Sequence, residues 1–160
     1  MPKILFVCTG NTCRSPMAAA MAGMAYKEFK NFSFLSRGIS VPVPSRATEN
    51  AILSVRALTG ADIKSHISRQ LNEKDLQDAD LIITMTHSHK EYLTNIFSDD
   101  VAGKVFTLYE ICDGSGKNIK DPFGGDAYTY RKCAEEIRNC LDRMFFEKLL
   151  SIIMKNKEDA

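Results

Sequence analysis

The sequence has no tryptophan, and no apolar run approaches the roughly 18 residues that a membrane-spanning helix needs. Its apolar start, residues 4–7, is far too short for a signal peptide and runs into a polar turn. Charge of one sign is also missing. Twenty-one lysines and arginines face 20 aspartates and glutamates, for a net charge of +1, so no basic field argues for nucleic acid and no acidic tail for a charge-driven partner. Cysteine is sparse: there are five, none with metal-ligand spacing. Without a secretion signal they point to a reducing, cytoplasmic setting in which thiols are reactive groups or small buried hydrophobes. Repeats, low-complexity tracts and linkers are absent too. A single domain over residues 1–160 is therefore expected, long enough to bury about two-thirds of its unfolded surface around one core.

What is present is an alternation of short apolar runs and helical patterns. Residues 3–7 read as a buried strand that ends in a turn-rich loop at Cys8. Ser15 and Pro16 read as the N-cap and first position of a helix carrying Met17, Met21 and Met24. A second strand is expected over 32–36, closed by Gly38, and a helix over 48–58, stopped by Gly60. A short helix over 71–77, a strand over 80–85, a helix over 88–97 and a strand over 104–107 follow. One long helix is expected from 127 to 154. Repeated βα units with near-continuous apolar strands predict an α/β, three-layer sandwich: a four-stranded parallel sheet with helices on both faces. In such folds ligands bind beyond the carboxyl ends of the strands, where the Cys8 loop lies.

That loop reads Cys8, Thr9, Gly10, Asn11, Thr12, Cys13, Arg14, Ser15. A phosphate dianion needs several N–H donors converging on it, which a tight loop entering a helix supplies. Gly10 is expected to let the backbone curl inward without a Cβ penalty. Arg14 can hold two phosphate oxygens with its planar fork. The same positive surroundings should stabilise Cys8 as the attacking thiolate, with Ser15 donating a further hydrogen bond to it. Taken alone, a Cys and an Arg separated by five residues also fit a strand-end cysteine beside a surface charge.

The run from Val7 through Cys8 and Arg14 to Ser15 and Pro16 resembles the signature loop of the low-molecular-weight protein tyrosine phosphatases. Asp121-Pro122 is similar to that family's general-acid loop, and Thr84, Met85 and Thr86 to a strand-end segment; the likeness runs from Lys3 to the last helix. The resemblance implies a phosphatase fold and a two-step reaction without metal or other cofactor. Cys8 attacks phosphorus while Asp121 protonates the departing group, and water activated by the Asp121 carboxylate then hydrolyses the phosphocysteine. Arg14 and the loop around Thr9, Gly10, Asn11, Thr12, Cys13 and Ser15 would hold the phosphoryl oxygens. Asn11 keeps the loop's shape in the family, and a Cys8–Cys13 disulfide would protect the nucleophile from irreversible oxidation. The expected partners are phosphorylated proteins, with no nucleic acid and no membrane, and the expected state is a monomer.

Two departures from the tyrosine-specific pattern point elsewhere. Thr12 stands where that branch usually carries Ile, and Asp121-Pro122 is followed by Phe123, Gly124, Gly125 and Asp126 rather than by tyrosines. Residues 39–44 also lack an aromatic wall. Thr12 and the Asp-Pro-Phe-Gly-Gly segment are similar to the branch of bacterial protein-arginine phosphatases. A threonine hydroxyl suits a polar guanidino group better than an isoleucine side chain does. Phosphoarginine is therefore the expected substrate, with phosphotyrosine the alternative. Arg37 stands where the family usually has Ala.

Two other classes fit the sequence less well. Arsenate reductases on this scaffold need resolving cysteines near the third strand, and residues 81–95 contain none. A phosphocysteine carrier module needs neither Arg14 nor an acid. Cys133 and Cys140, seven residues apart, read as packing residues on one helix face. His87 and His89 form a weak metal motif without a third ligand, and His66 reads as a hydrogen-bonded structural residue.

Overall fold

A computed structural model of the chain describes residues 1–97 and 99–160. Four strands, β1 (Lys3–Cys8), β2 (Ser33–Gly38), β3 (Leu81–Thr84) and β4 (Val105–Thr107), form one sheet. All neighbours are parallel, in the order β2-β1-β3-β4. The chain runs from β1 to β2 on one side and later returns to pair β3 on the other side of β1. The carboxyl end of β1 is thus the point where the winding direction reverses, and a crevice opens there.

Side chains alternate across the strands with period two, which divides the core into two layers. Ile4, Phe6, Cys8, Leu81 and Ile83 face one layer. It is covered by α1 (Arg14–Ala25), α2 (Glu49–Thr59), α7 (Ala127–Cys140) and α8 (Arg143–Glu158), with α6 (Leu108–Cys112) at its margin. Leu5, Val7, Ile82 and Val105 face the other, where α3 (Glu73–Asp78), α4 (His87–Phe97) and the short α5 (Asp99–Ala102) supply Leu76, Leu93 and Val101. Each fully buried aliphatic or Phe side chain contributes roughly 1.5–3 kcal/mol, so a strand register slip would be costly on both faces. The expected α/β sandwich is the fold found, and α6 and α5 are additions that the sequence pattern did not announce.

Two local expectations need correction. Ser15 and Pro16 do not start α1. The N-cap is Cys13, without a side-chain cap, and α1 begins at Arg14. Ser15 cannot serve as cap because its hydroxyl is committed to Cys8 and Asn11; Pro16 still sits in the first turn, where its missing N–H costs nothing. The long helix expected over 127–154 is two helices. Leu141 leaves helical geometry, and the Asp142 carboxylate caps α8 by accepting from the Phe145 N–H at 2.9 Å. The Tyr26 hydroxyl donates to the carbonyls of Leu141 and Asp142 at 2.7 and 2.8 Å, fixing the break from α1's C-terminus. Gly60 closes α2 in the left-handed conformation, as expected.

Candidate active site

The loop after β1 wraps a cavity of about 230 Å³ lined by Cys8, Thr9, Gly10, Asn11, Thr12, Cys13, Arg14, Asp121 and Phe123. It therefore gathers every residue of the loop motif except Ser15 with the Asp121 that the sequence sets more than 100 residues away. Ser15 lies beneath, its hydroxyl 2.9 Å from the Cys8 sulfur. A larger cavity of about 420 Å³, lined by Pro16, Arg37, His66 and Arg69 among others, contains neither a cysteine nor a carboxylate.

The loop's shape rests on Asn11, not on Gly10. Asn11 is the one non-glycine residue with positive φ among the described residues, at 57°, a conformation that costs on the order of 1–3 kcal/mol outside glycine. Gly10 adopts no such angle, and a Cβ there would meet nothing closer than 3.8 Å; the expectation of a glycine-dependent curl is wrong. Three bonds hold Asn11 in place. Its side-chain amide donates to Ser15 Oγ at 2.8 Å, its Oδ1 accepts the Arg69 N–H at 3.0 Å, and its backbone carbonyl is bonded to His66 Nε2 at 2.8 Å. His66 is thus the structural residue expected. The glycine that the loop does need is Gly38 at the end of β2: a Cβ there would lie 2.8 Å from the Thr9 carbonyl oxygen and 2.9 Å from Asn11 Cβ.

Burial raises the pKa of the Cys8 thiol above its ordinary value, and this outweighs the groups that oppose it. Those groups are the Ser15 hydroxyl, the backbone N–H groups of Ser15 and Asn11, and the Arg14 charge. The expected thiolate-stabilising partners are therefore all in place, but Cys8 is only 3% exposed and desolvation works against its charged form. Arg14 is also buried, at 4%. Its guanidinium donates to the Ile119 carbonyl at 2.9 Å and meets the Asp121 carboxylate at 3.5 Å. Asp121 is about half exposed and accepts the Phe123 N–H at 3.1 Å. Gly124, with φ of 80°, and Gly125, where a Cβ would press within 2.9 Å of the Pro122 carbonyl oxygen, let the chain turn directly after the acid.

Thr12 stands partly exposed on the cavity wall, and its carbonyl accepts the Thr48 N–H. Cys13 is buried and shares hydrogen bonds with Tyr130 (3.3 Å) and Thr48 (3.6 Å). Cys133 and Cys140 are buried among core hydrophobes; burial pushes the Cys133 thiol up to about 12, far from a reactive form at neutral pH. Arg37 is accounted for by packing: its guanidinium meets Asp75 at 3.1 Å and Ser36 O at 2.8 Å, tying β2 to α3. His87 and His89 do not face a common ligand. His87 lies 3.8 Å from Glu110, whereas His89 Nε2 is 2.9 Å from the Thr9 hydroxyl. Among the described residues no three histidine, cysteine or acidic side chains are grouped to hold a metal. Sequence reasoning passed over Phe123 as a wall residue, Gly38 as a contact point and His89 as a neighbour of the loop. Only the position of Phe123 directly after Asp121-Pro122 offered a signal.

A family model described as low molecular weight phosphotyrosine protein phosphatase matches residues 3–157. The chain belongs to that family. It is 39% identical over 143 residues to a protein-arginine-phosphatase of Bacillus subtilis (strain 168), covering 88% of this chain and 93% of the relative. It is 37% identical over 163 residues to a low molecular weight protein-tyrosine-phosphatase, PtpB, of Staphylococcus aureus, covering 98% and 97%. Among solved structures, the YwlE arginine phosphatase in a cysteine-to-serine mutant with a phosphorylated active site serine superposes with a TM-score of 0.83 at 35% identity, over 91% of this chain and 94% of that one. A covalently phosphorylated residue at that mutated position fits a cysteine-based mechanism. The protein is a cysteine-dependent phosphatase, a hydrolase acting on phosphorylated proteins.

Proposed function

We propose that this phosphatase hydrolyses phosphoarginine in proteins. The observation that carries the reading is the cavity wall: Thr12 supplies a hydroxyl, and Phe123 is the one aromatic residue among those that line it. A guanidino group offers N–H donors that a hydroxyl can accept, whereas a phenyl ring is held by aromatic and apolar walls. The relatives named as protein-arginine-phosphatases support the same substrate.

In this reading Cys8 Sγ attacks phosphorus as a thiolate, the P–N bond breaks, and Asp121 gives its proton to the departing guanidino nitrogen. Water then attacks the phosphocysteine, Asp121 takes a proton from it, and the P–S bond breaks to release phosphate and restore the thiolate. Arg14 and the loop of Thr9, Gly10, Asn11, Thr12 and Cys13 hold the phosphoryl oxygens, and Ser15 stabilises the sulfur anion. Cys13 is the redox partner of Cys8. Five free thiols suit a reducing compartment, so the enzyme is assigned to the cytoplasm, as a one-domain monomer.

The test is phosphate release from matched phosphoarginine and phosphotyrosine peptides, with Cys8→Ser as control. A preference for phosphoarginine that Thr12→Ile reverses supports the assignment. A preference for phosphotyrosine in the wild type overturns it, and the exposed Phe123 ring on the cavity wall would then be the group to test for contact with the phenyl ring.

A further inference from the structure

His89, on the first turn of α4, is buried at 7% exposure, and its Nδ1 has no hydrogen-bond partner. Its Nε2 lies 2.9 Å from the hydroxyl of Thr9, the residue directly after the nucleophile. The helix start that carries the ring is held at several points. The backbone N–H of His89 donates to Thr86 Oγ1, that of His87 to Asn118 Oδ1, and Lys90 is paired with Glu110. Arg14 and Asp121 are the charged groups that act on the ring. Burial, reinforced by the Arg14 charge, lowers its pKa to about 4 and keeps it neutral at ordinary pH.

A neutral imidazole has one N–H. On Nδ1 that proton would be a buried donor without an acceptor, the costlier orphan; on Nε2 it is donated to Thr9, and only an acceptor lone pair goes unpaired. The Nε2–H form follows. Thr9 Oγ1 then accepts from His89, and its own proton has no protein acceptor among the described residues. Thr9 is exposed and lines the cavity.

We infer that His89 is a positioning residue that turns the Thr9 hydroxyl into a hydrogen-bond donor to a phosphoryl oxygen of the bound substrate. A donor has no use for a guanidinium, which only donates, so the contact is to the group that all substrates of this cavity share. The inference rests on the phosphatase chemistry and is independent of the choice between phosphoarginine and phosphotyrosine.

The experiment measures kcat/KM on a phosphoarginine peptide and on an aryl phosphate, the inhibition constant of inorganic phosphate, and Tm. The variants are Thr9→Val, Thr9→Ser, His89→Leu, His89→Gln and the Thr9→Val/His89→Leu pair. Thr9→Val is expected to lose about 10- to 100-fold in kcat/KM on both substrates and to weaken phosphate inhibition by a similar factor, the effect of one charge-assisted bond. Thr9→Ser retains the donor and stays within about threefold, and His89→Gln, whose amide can still donate to Thr9, restores most of what His89→Leu loses. If His89 acts through Thr9, the double variant is no worse than the poorer single one. The inference is overturned if Thr9→Val stays within about twofold of wild type, if its loss is confined to phosphoarginine, or if the paired losses multiply. Should His89→Leu fail to fold, Thr9→Val and His89→Gln still decide.

Discussion

The two halves of the site are built to opposite specifications. In the phosphate loop, residues 8–15, three polar residues are buried and tied down: Asn11 by three bonds, Ser15 to Cys8 and Asn11, Arg14 to the Ile119 carbonyl. In the acid segment, Asp121 is about half exposed and Phe123 is 73% exposed. Its turn is held by the Arg14–Asp121 ion pair and two bonds within the segment, from the Phe123 N–H to Asp121 and from the Gly125 N–H to the Pro122 carbonyl. The difference follows the chemistry. The phosphoryl group is the same in every substrate and rewards a rigid cradle, since preorganised donors need not reorganise in the transition state. The departing group is a residue of another protein, so the acid must sit where that protein can approach.

Perturbing each half should therefore give different signatures. Asp121→Asn is expected to lower kcat by about 10²–10³-fold, the range for a lost general acid, while Tm moves little because the side chain is exposed; a large fall in Tm would show the two halves to be less distinct than described. Acid should act on the rigid half. A histidine whose pKa falls from 6.5 unfolded to about 4 folded contributes stability that is full above 6.5 and is lost as pH falls through that window. The loss reaches up to about 3 kcal/mol at the low end; urea denaturation at a series of pH values should show it, and His89→Gln should flatten that slope. Asn11→Ala removes two side-chain bonds but keeps the left-handed backbone, so about 2 kcal/mol of stability should go together with activity, read by urea denaturation and steady-state kinetics on the same preparation. Phe123→Ala should be the mildest: a several-fold rise in KM and a stability change within about 0.5 kcal/mol, as for other exposed sites.

Much of this was legible in the chain itself. The four apolar runs, the Gly60 stop and the two-sided burial of the sheet follow from local periodicity. The nucleophile, its arginine and its supporting serine lie within eight residues of one another, so a local motif could reveal them. Features that depend on two distant segments meeting were not legible. Asn11 in the left-handed region looks no different in sequence from an asparagine in any turn, because the bonds that hold it come from His66 and Arg69. Gly38 looked like a strand stop, and its need for no side chain arises only because the Thr9–Asn11 segment packs over it. The break in the final helix was signalled weakly by Asp142, yet the Tyr26 hydroxyl, contributed from more than 100 residues earlier, helps to fix it there.

By itself, then, the sequence determined the fold class and the cysteine chemistry, because each is carried by a periodic pattern or by a short run of residues. The tertiary structure alone decided which residue bears the loop's strain, why Arg37 is present, and how His89 comes to face Thr9. Those outcomes depend on hydrogen bonds between segments 30 to 80 or so residues apart, whose partners are chosen by how the two layers pack on the sheet and not by any spacing along the chain.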